Sequence, residues 1–326
     1  MSLLTARFFM VILPAAALDL LLGDPRWLPH PVRWMGRLIS ALEGLLRRRF
    51  PKSPAGERAA GGVLVLLMVL SFGGGSALLL WLCHEIAPWL AWLAEVWFSY
   101  QLLSARDLQV ESMAVYPPLK SGDLEGARAA VARIVGRDTS VLDSSGVAKA
   151  AVETVAENTC DGVVAPLLYL FLGGLPLGMA FKAVSTLDSM VGYRTPKYQY
   201  IGTASARLDD VLNFLPARLS GVLLCLGAAI LPKCSGRRAW RIFWRDRRKH
   251  ASPNSAHSEA ACAGALGVQL AGDAQYFGVL VRKPTLGDPV RPVALEDISR
   301  ACRLMYAAEG LTLLLMALIT LILKVL

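Results

Sequence analysis

The sequence predicts an all-α fold: a polytopic α-helical integral membrane protein with helical loops on the cytoplasmic side. Two observations carry that reading. Hydrophobic residues make up 55% of the chain against 18% charged, and they are gathered into long runs instead of being spaced three and four apart. Five of those runs, at 5–22, 61–82, 86–104, 162–190 and 304–325, approach or exceed the roughly 18 to 20 apolar residues that cross a bilayer. A sixth, 212–232, is interrupted by Pro216 and Arg218. With no internal repeat and no low-complexity linker, residues 1–326 read as a single polytopic membrane domain with polar segments at 24–60, 105–161, 191–211 and 233–303.

The first run, with Arg7 near its start and Ala15, Ala16 and Ala17 inside it, has features of a cleaved signal peptide. Nothing after it has a secreted character, so an uncleaved span is expected. Segment 24–60 holds Arg26, Arg33, Arg37, Arg47, Arg48, Arg49, Lys52 and Arg58 against Asp24, Glu43 and Glu57, which places it in the cytoplasm. The stretch 105–161 breaks at Tyr116-Pro117-Pro118 and offers a helix near 123–135, with Ser121 as cap and Gly136 as stop. A second helix follows over about 145–160, with Val147, Ala148, Ala151, Val152 and Val155 as its apolar stripe. From Lys233 to Lys249 the arginines 237, 238, 241, 245, 247 and 248 interleave with Trp240, Phe243 and Trp244, the pattern of an interfacial helix on anionic lipid. Bases so placed account for the net charge of +9 without nucleic acid, for which no recognition module is present. Cys83, Cys160, Cys225, Cys234, Cys262 and Cys302 lack C-x-x-C spacing and read as buried thiols.

Topology turns on one run. If 162–190 crosses once, residues 191–211 lie outside and 212–232 returns. If it turns back at Gly173-Gly174-Leu175-Pro176 and 212–232 also fails to cross, residues 191–211 lie inside.

Four constellations carry chemistry. The first, D-L-L-L-G-D-P-R-W-L-P-H-P-V, sets Asp19 in or at the end of an apolar span, where a carboxylate costs about 2.5 to 3.5 kcal/mol if central. Asp24-Pro25 and His30-Pro31 form a rigid turn suited to a metal or a proton-transfer group; a helix stop anchored by Trp27 and Trp34 fits equally. In the second, V-E-T-V-A-E-N-T-C-D-G, Glu153, Glu157 and Asp161 recur every four residues, either for a hard cation such as magnesium or as a solvated face. The third and richest runs from Lys182 to Arg218. Lys182 and Asp188 interrupt an apolar run, Arg194, Lys197 and Arg207 can neutralise phosphate or carboxylate, and Asp188, Asp209 and Asp210 can hold a divalent ion. Its alternative is an interfacial rim with Tyr193, Tyr198 and Tyr200 as an aromatic belt, which leaves the intramembrane Asp and Lys unexplained. In the fourth, Ser252-Pro253-Asn254 reads as a turn before a close-packed Ala/Gly helix; Asn254 and Glu259 can orient a polar ligand, and His250 and His257 read as solvated. No P-loop and no G-x-S-x-G elbow is present.

In this order the motifs G-D-P…H-P-V, E-N-x-x-D-G, T-L-D-S-M-V-G-Y-R, S-A-R-L-D-D-V-L-N-F-L-P-A-R and S-P-N…E-A-A…A-G-A-L-G resemble those of the adenosylcobinamide-phosphate synthases of cobalamin biosynthesis, the CobD/CbiB family, over nearly the whole chain. Ser185, Ala256 and Ser258 depart from the pattern, where Asn, Gly and Pro are usual. These exchanges leave the charged set intact. The resemblance implies amide formation between the free propionate carboxyl of adenosylcobyric acid and aminopropanol or its phosphate. It also implies a place in the inner (cytoplasmic) membrane with the active site facing the cytoplasm, where other membrane-bound enzymes of late corrinoid assembly are expected partners. Activating a carboxylate calls for ATP and Mg2+. On that basis Asp188, Asp209, Asp210 and Lys182 are expected to be catalytic, and Glu157, Asp161, Asp188 and Asp210 to bind the metal. Arg194, Lys197, Arg207, Arg218, Asn158, Asn213, Asn254 and His30 are expected to bind the corrinoid and the amine. A corrinoid or small-molecule transporter is the rival from another class, since Asp19, Lys182, Asp188 and Arg218 would also line a path. A non-catalytic membrane sensor of the same superfamily is the other; it would be expected to lose the charged residues this chain retains.

Overall fold

The computed structural model describes residues 3–193, 195–276 and 278–325 and is α-helical nearly throughout, as the patterning predicts. Four helices, Leu3–Leu22, Pro54–Ile86, Ser144–Val191 and Glu296–Val325, are long and apolar enough to cross a membrane, and five spans result if Thr203–Leu212 and Phe214–Ile230 count as one. The chain packs as two compact units, residues 1–104 with 165–213 and 316–326, and residues 105–164 with 214–315.

In the first unit, proline and capping residues set the helix starts. His30 Nδ1 accepts from the Val32 N–H at 3.2 Å, ahead of helix Pro31–Arg49, and Ser53 Oγ accepts from the Gly56 N–H at 3.1 Å, ahead of Pro54. Each proline sits at the first helical position, where its missing N–H is harmless. Ile12, Met35, Ile39, Leu64, Met68, Leu167 and Phe181 form the buried core. Leu66, Leu70, Leu78, Trp81, Leu82 and Ile86 of one long helix remain exposed, an apolar surface of the kind that lipid covers. The 86–104 run forms helix Pro88–Tyr100, which at 13 residues is about 20 Å long and falls short of a hydrocarbon core of about 30 Å.

Of the two courses open to the 162–190 run, the geometry of helix Ala165–Val191 supports the one that turns back. Gly174 leaves helical conformation at φ 66° and ψ −163°. Tyr169 and Phe181 then stack with ring centroids 4.7 Å apart, whereas twelve positions along one continuous helix would separate them by about 18 Å. The segment is a helical hairpin. The guanidinium of Arg7 donates to the carbonyls of Phe171 and Leu172, both at 2.9 Å, satisfying groups that the break leaves without helical partners. The backbone at residue 174, φ 66° with ψ −163°, is a conformation that calls for glycine.

The second unit is built around helix Ser255–Leu266, whose residues from Ala256 onward are all buried. Small residues allow close approach: Gly264 lies against the backbone of Arg238 and Ala239, and Gly221 of helix Phe214–Ile230 against the Phe243 ring. Arg238 caps the helix end, its Nε donating to the Gly264 carbonyl at 2.7 Å. The basic helix Gly236–Asp246 turns Ala239, Ile242 and Phe243 inward, so Phe243 is not the lipid contact its interleaving implies. Two short antiparallel ribbons follow, 270–271 with 285–286 and 274–276 with 279–281. Asp246 is fully buried and accepts from Arg245 Nη2 at 2.7 Å, Lys249 Nζ at 2.6 Å and the Gly287 N–H at 2.8 Å. Burial opposes its charge, but these bonds outweigh burial and hold the carboxyl down at about 2.

Elsewhere in this unit the expected helix near 123–135 is Leu124–Val131, capped by Asp123, while Ser121 closes a separate short helix, Tyr116–Ser121. Asp123 supplies the carboxylate oxygen that takes the Gly126 N–H at 2.9 Å, and Gly122, in the left-handed region at φ 79°, separates the two helices.

Candidate functional site

The residues selected from sequence fall into two groups, one in each unit. Arg194 lies outside the described residues.

In the first unit, Asp188 stands near the end of the hairpin's second arm, within electrostatic reach of Asp210 on helix Thr203–Leu212. Asp188 Oδ1 is buried and among the described residues has no hydrogen-bond partner. Asn213 Nδ2 donates to Asp209 Oδ2 at 3.1 Å, orienting the neighbouring acid. Lys182 is half-buried on the hairpin's second arm and Arg207 is exposed. Lys197 is exposed and bonds the Tyr198 hydroxyl at 2.6 Å. His30 faces Asp24 at 3.2 Å through Nε2. Its Nδ1 is engaged at the helix start, accepting from the Val32 N–H.

In the second unit, a cleft of about 180 Å3 opens beside helix Ser144–Asn158, which contributes Glu153, Thr154, Glu157 and Asn158. The opposing wall carries Arg137, His250, Glu259, Tyr276 and Lys283. Glu153 is buried, ion-paired with Arg137, and its Oε1 accepts from the Ala271 N–H at 2.6 Å, which fixes a backbone at φ 56°. Glu153 is therefore an organiser of the cleft wall and not part of a solvated face. Lys283 Nζ bonds the Tyr276 hydroxyl at 2.6 Å. Burial, reinforced by Glu157 and Glu153, pushes the Glu259 carboxyl well above the usual range. Burial and the nearby Lys283 lower His250, which stays neutral at physiological pH.

Asp161 does not join this wall. The chain after Asn158 winds as a π-turn, Thr159–Val164, and its wider pitch takes Asp161 out of the four-residue register that held for Glu153 and Glu157. Arg218 and Asn254 meet each other in the same unit: Arg218 Nη1 donates to Asn254 Oδ1 at 3.2 Å and lies over the Phe214 ring. His257, expected to be solvated, is 2% exposed; burial and the neighbouring Arg218 hold it at about 4, so it is neutral.

Arg137, Tyr276 and Lys283 were not singled out from sequence. Arg137 had one signal, its place just after Gly136, expected as a helix stop although the helix ends earlier at Val131, whereas Lys283 reaches the cleft through ribbon pairing that no local spacing encodes.

Among the described residues no three His, Cys, Asp or Glu side chains gather as a metal site. Mg2+ keeps several waters and is commonly held by one or two carboxylates. The orphaned oxygen of Asp188 with Asp210 nearby fits that demand.

Comparison with known proteins gives a consistent result. The family model described as CobD/Cbib protein matches residues 12–305. The cobalamin biosynthesis protein CobD of Klebsiella pneumoniae is 53% identical over 296 residues, 91% of this chain and 92% of that protein. The cobalamin biosynthesis protein CbiB of Salmonella typhimurium is 50% identical over 302 residues, covering 93% and 94%. The Citrobacter koseri CobD is 51% identical over 296 residues, covering 91% and 92%. No solved structure matches. With motifs, helical architecture and near full-length similarity in agreement, the chain belongs to the CobD/Cbib family.

Proposed function

We propose that this protein acts in cobalamin biosynthesis as an amide ligase, joining aminopropanol or its phosphate to the free propionate carboxyl of adenosylcobyric acid. The observation that carries the reading is the cleft in the second unit, where Lys283, Arg137 and the neutral His250 share one small space with Glu157 and Glu259. A short amino alcohol phosphate is itself an anion and an ammonium a few bonds apart, and this lining is complementary to both ends. Lys283 and His250 bind the phosphate; Glu157 binds the ammonium and takes the proton that must leave nitrogen before it attacks a carbonyl carbon. Glu259, favoured as the neutral acid, donates a hydrogen bond instead of adding a second negative charge.

In the first unit Asp188 and Asp210 are the residues that would hold Mg2+, with Lys182 and Arg207 as counter-charges for anionic groups. ATP with Mg2+ supplies activation of the corrinoid carboxylate. In the second unit Asn158, which lines the cleft, and Arg218 with Asn254 are assigned to the amides and carboxylate of the corrin. The basic segment 24–60 supports an inner-membrane topology with the site facing the cytoplasm, close to other membrane-bound enzymes of corrinoid assembly.

The test is purified protein with adenosylcobyric acid, aminopropanol phosphate, Mg2+ and each nucleoside triphosphate in turn, followed by mass analysis of the corrinoid. Addition of the amine with loss of one water is expected. An unchanged mass under every condition would sink the ligase reading, and corrinoid uptake into vesicles without product would replace it with transport.

A further inference from the structure

Helix Gly236–Asp246 spends its apolar side chains inside the second unit, where Ala239, Ile242 and Phe243 are buried. What it leaves outside is a stripe of bases and indoles. Arg237, Arg241 and Trp244 follow one another at helical spacing with Trp240 among them, Trp240 46% and Trp244 48% exposed, and Arg248 is exposed in the turn that follows the helix. Some of the positive charge is already matched: Arg241 reaches Asp288 at 3.8 Å, and Arg245 binds Asp246 and Asp288. Among the described residues Arg237 and Arg248 have no ion-pair partner. Arg247 stacks over the Trp244 ring with its guanidinium carbon 3.5 Å from the centroid, which holds that indole flat against a cation.

The stripe follows directly from an apolar element. Helix Phe214–Ile230 ends with Leu226 50% and Ile230 70% exposed. Within this one unit the surface therefore passes from aliphatic, through indole, to unmatched arginine, the order of chemistries met on leaving a bilayer through its headgroups.

We propose that the outward face of helix Gly236–Asp246, with the turn after it that carries Arg248, binds the phosphodiester headgroups of anionic phospholipid. Recognition is by charge and indole packing and not by acyl insertion, because the aliphatic face is occupied by the protein's own helices. The surface is separate from the cleft and independent of the reaction proposed for it. It should prefer anionic over zwitterionic lipid of equal chain length, and added salt should weaken that preference.

The test is native mass spectrometry of the whole protein after exchange into mixed phosphatidylglycerol and phosphatidylcholine nanodiscs. Retained phosphatidylglycerol should exceed phosphatidylcholine by about tenfold or more. Arg237→Gln with Arg248→Gln should bring the ratio toward one, and Arg237→Lys with Arg248→Lys should restore most of it. An unchanged ratio in the glutamine variant, or equal retention of both lipids by the original protein, overturns the proposal. A second measurement does not depend on the arginine variants folding. A spin label on Trp240→Cys in phosphatidylglycerol nanodiscs should report headgroup depth, and the accessibility of bulk water there would overturn it too.

Discussion

The two units handle charge in opposite ways. In the first, the bases of 24–60 include Arg47, paired with Glu43 and Glu57, while other acids sit at or near the ends of apolar helices: Asp188 near the end of the hairpin, Asp210 on the helix that follows, and Asp24 beside His30 at the turn after the first span. In the second, the buried charges are dense and paired, with Arg137 on Glu153, Arg245 and Lys249 on Asp246, and Lys283 on Tyr276. The contrast teaches that a buried carboxylate oxygen such as Asp188 Oδ1 is suited to an external cation, while a compensated network supplies shape, because a buried ion pair fixes geometry without leaving net charge to attract a ligand.

That contrast can be broken at its strongest point by the hairpin turn. Gly174→Val forces a β-branched residue into φ 66° and drives its Cβ toward Glu95. Gel-filtration profiles of the detergent-solubilised variant should show loss of the monodisperse peak, and a peak like that of the original protein would remove the hairpin as an organising feature. Next in size, Asp188→Asn should lower amide formation by about 100-fold or more while the gel-filtration profile is kept, the mark of a ligand-holding carboxylate in place of a structural one. Full activity would return Asp188 to a packing role.

In the second unit the effects are smaller and fall on binding or stability. Lys283→Ala should raise KM for the amine phosphate by about 10- to 100-fold, the loss of one charge-assisted hydrogen bond, with kcat changed less. Steady-state kinetics with aminopropanol in place of its phosphate should largely erase the difference. Asp246, held at about 2 in the folded state, contributes about 2 kcal/mol that is fully present above the ordinary carboxyl range and is lost as pH falls from about 4 toward 2. Thermal melts of Asp246→Asn should therefore differ from the original protein at pH 7 and converge with it in acid. Glu259 works with the opposite sign. Its raised carboxyl costs stability as pH rises above the usual carboxylate range, so Glu259→Gln should melt slightly higher at pH 8 and equally at pH 4.

Helix positions were readable from sequence because apolar runs, prolines and caps are local. Ser144–Asn158 and Ser255–Leu266 lie where stripe and turn placed them. Crossing number was not readable, because hydropathy is blind to direction: a run broken by Gly174 and Pro176 has the same composition whether it continues or doubles back. Half of the cleft was readable, since Glu153 and Glu157, four apart, share a helix face. Its other half comes from the loop at Arg137 and the ribbon before Lys283, joined by pairing across long stretches of chain. Asp161 shows the limit of periodicity, which assumes 3.6 residues per turn and fails at a π-turn.

The Arg7 contacts also impose an order on biogenesis. The guanidinium and the carbonyls it satisfies are separated by 164 and 165 positions in the chain. While the first helix is being inserted its acceptors have not been synthesised, and the cation must stay near the interface until the ribosome has passed the hairpin turn. The contact between the first helix and the hairpin therefore forms only after the hairpin turn has been made, and a chain ending before residue 171 lacks both of these acceptors for Arg7.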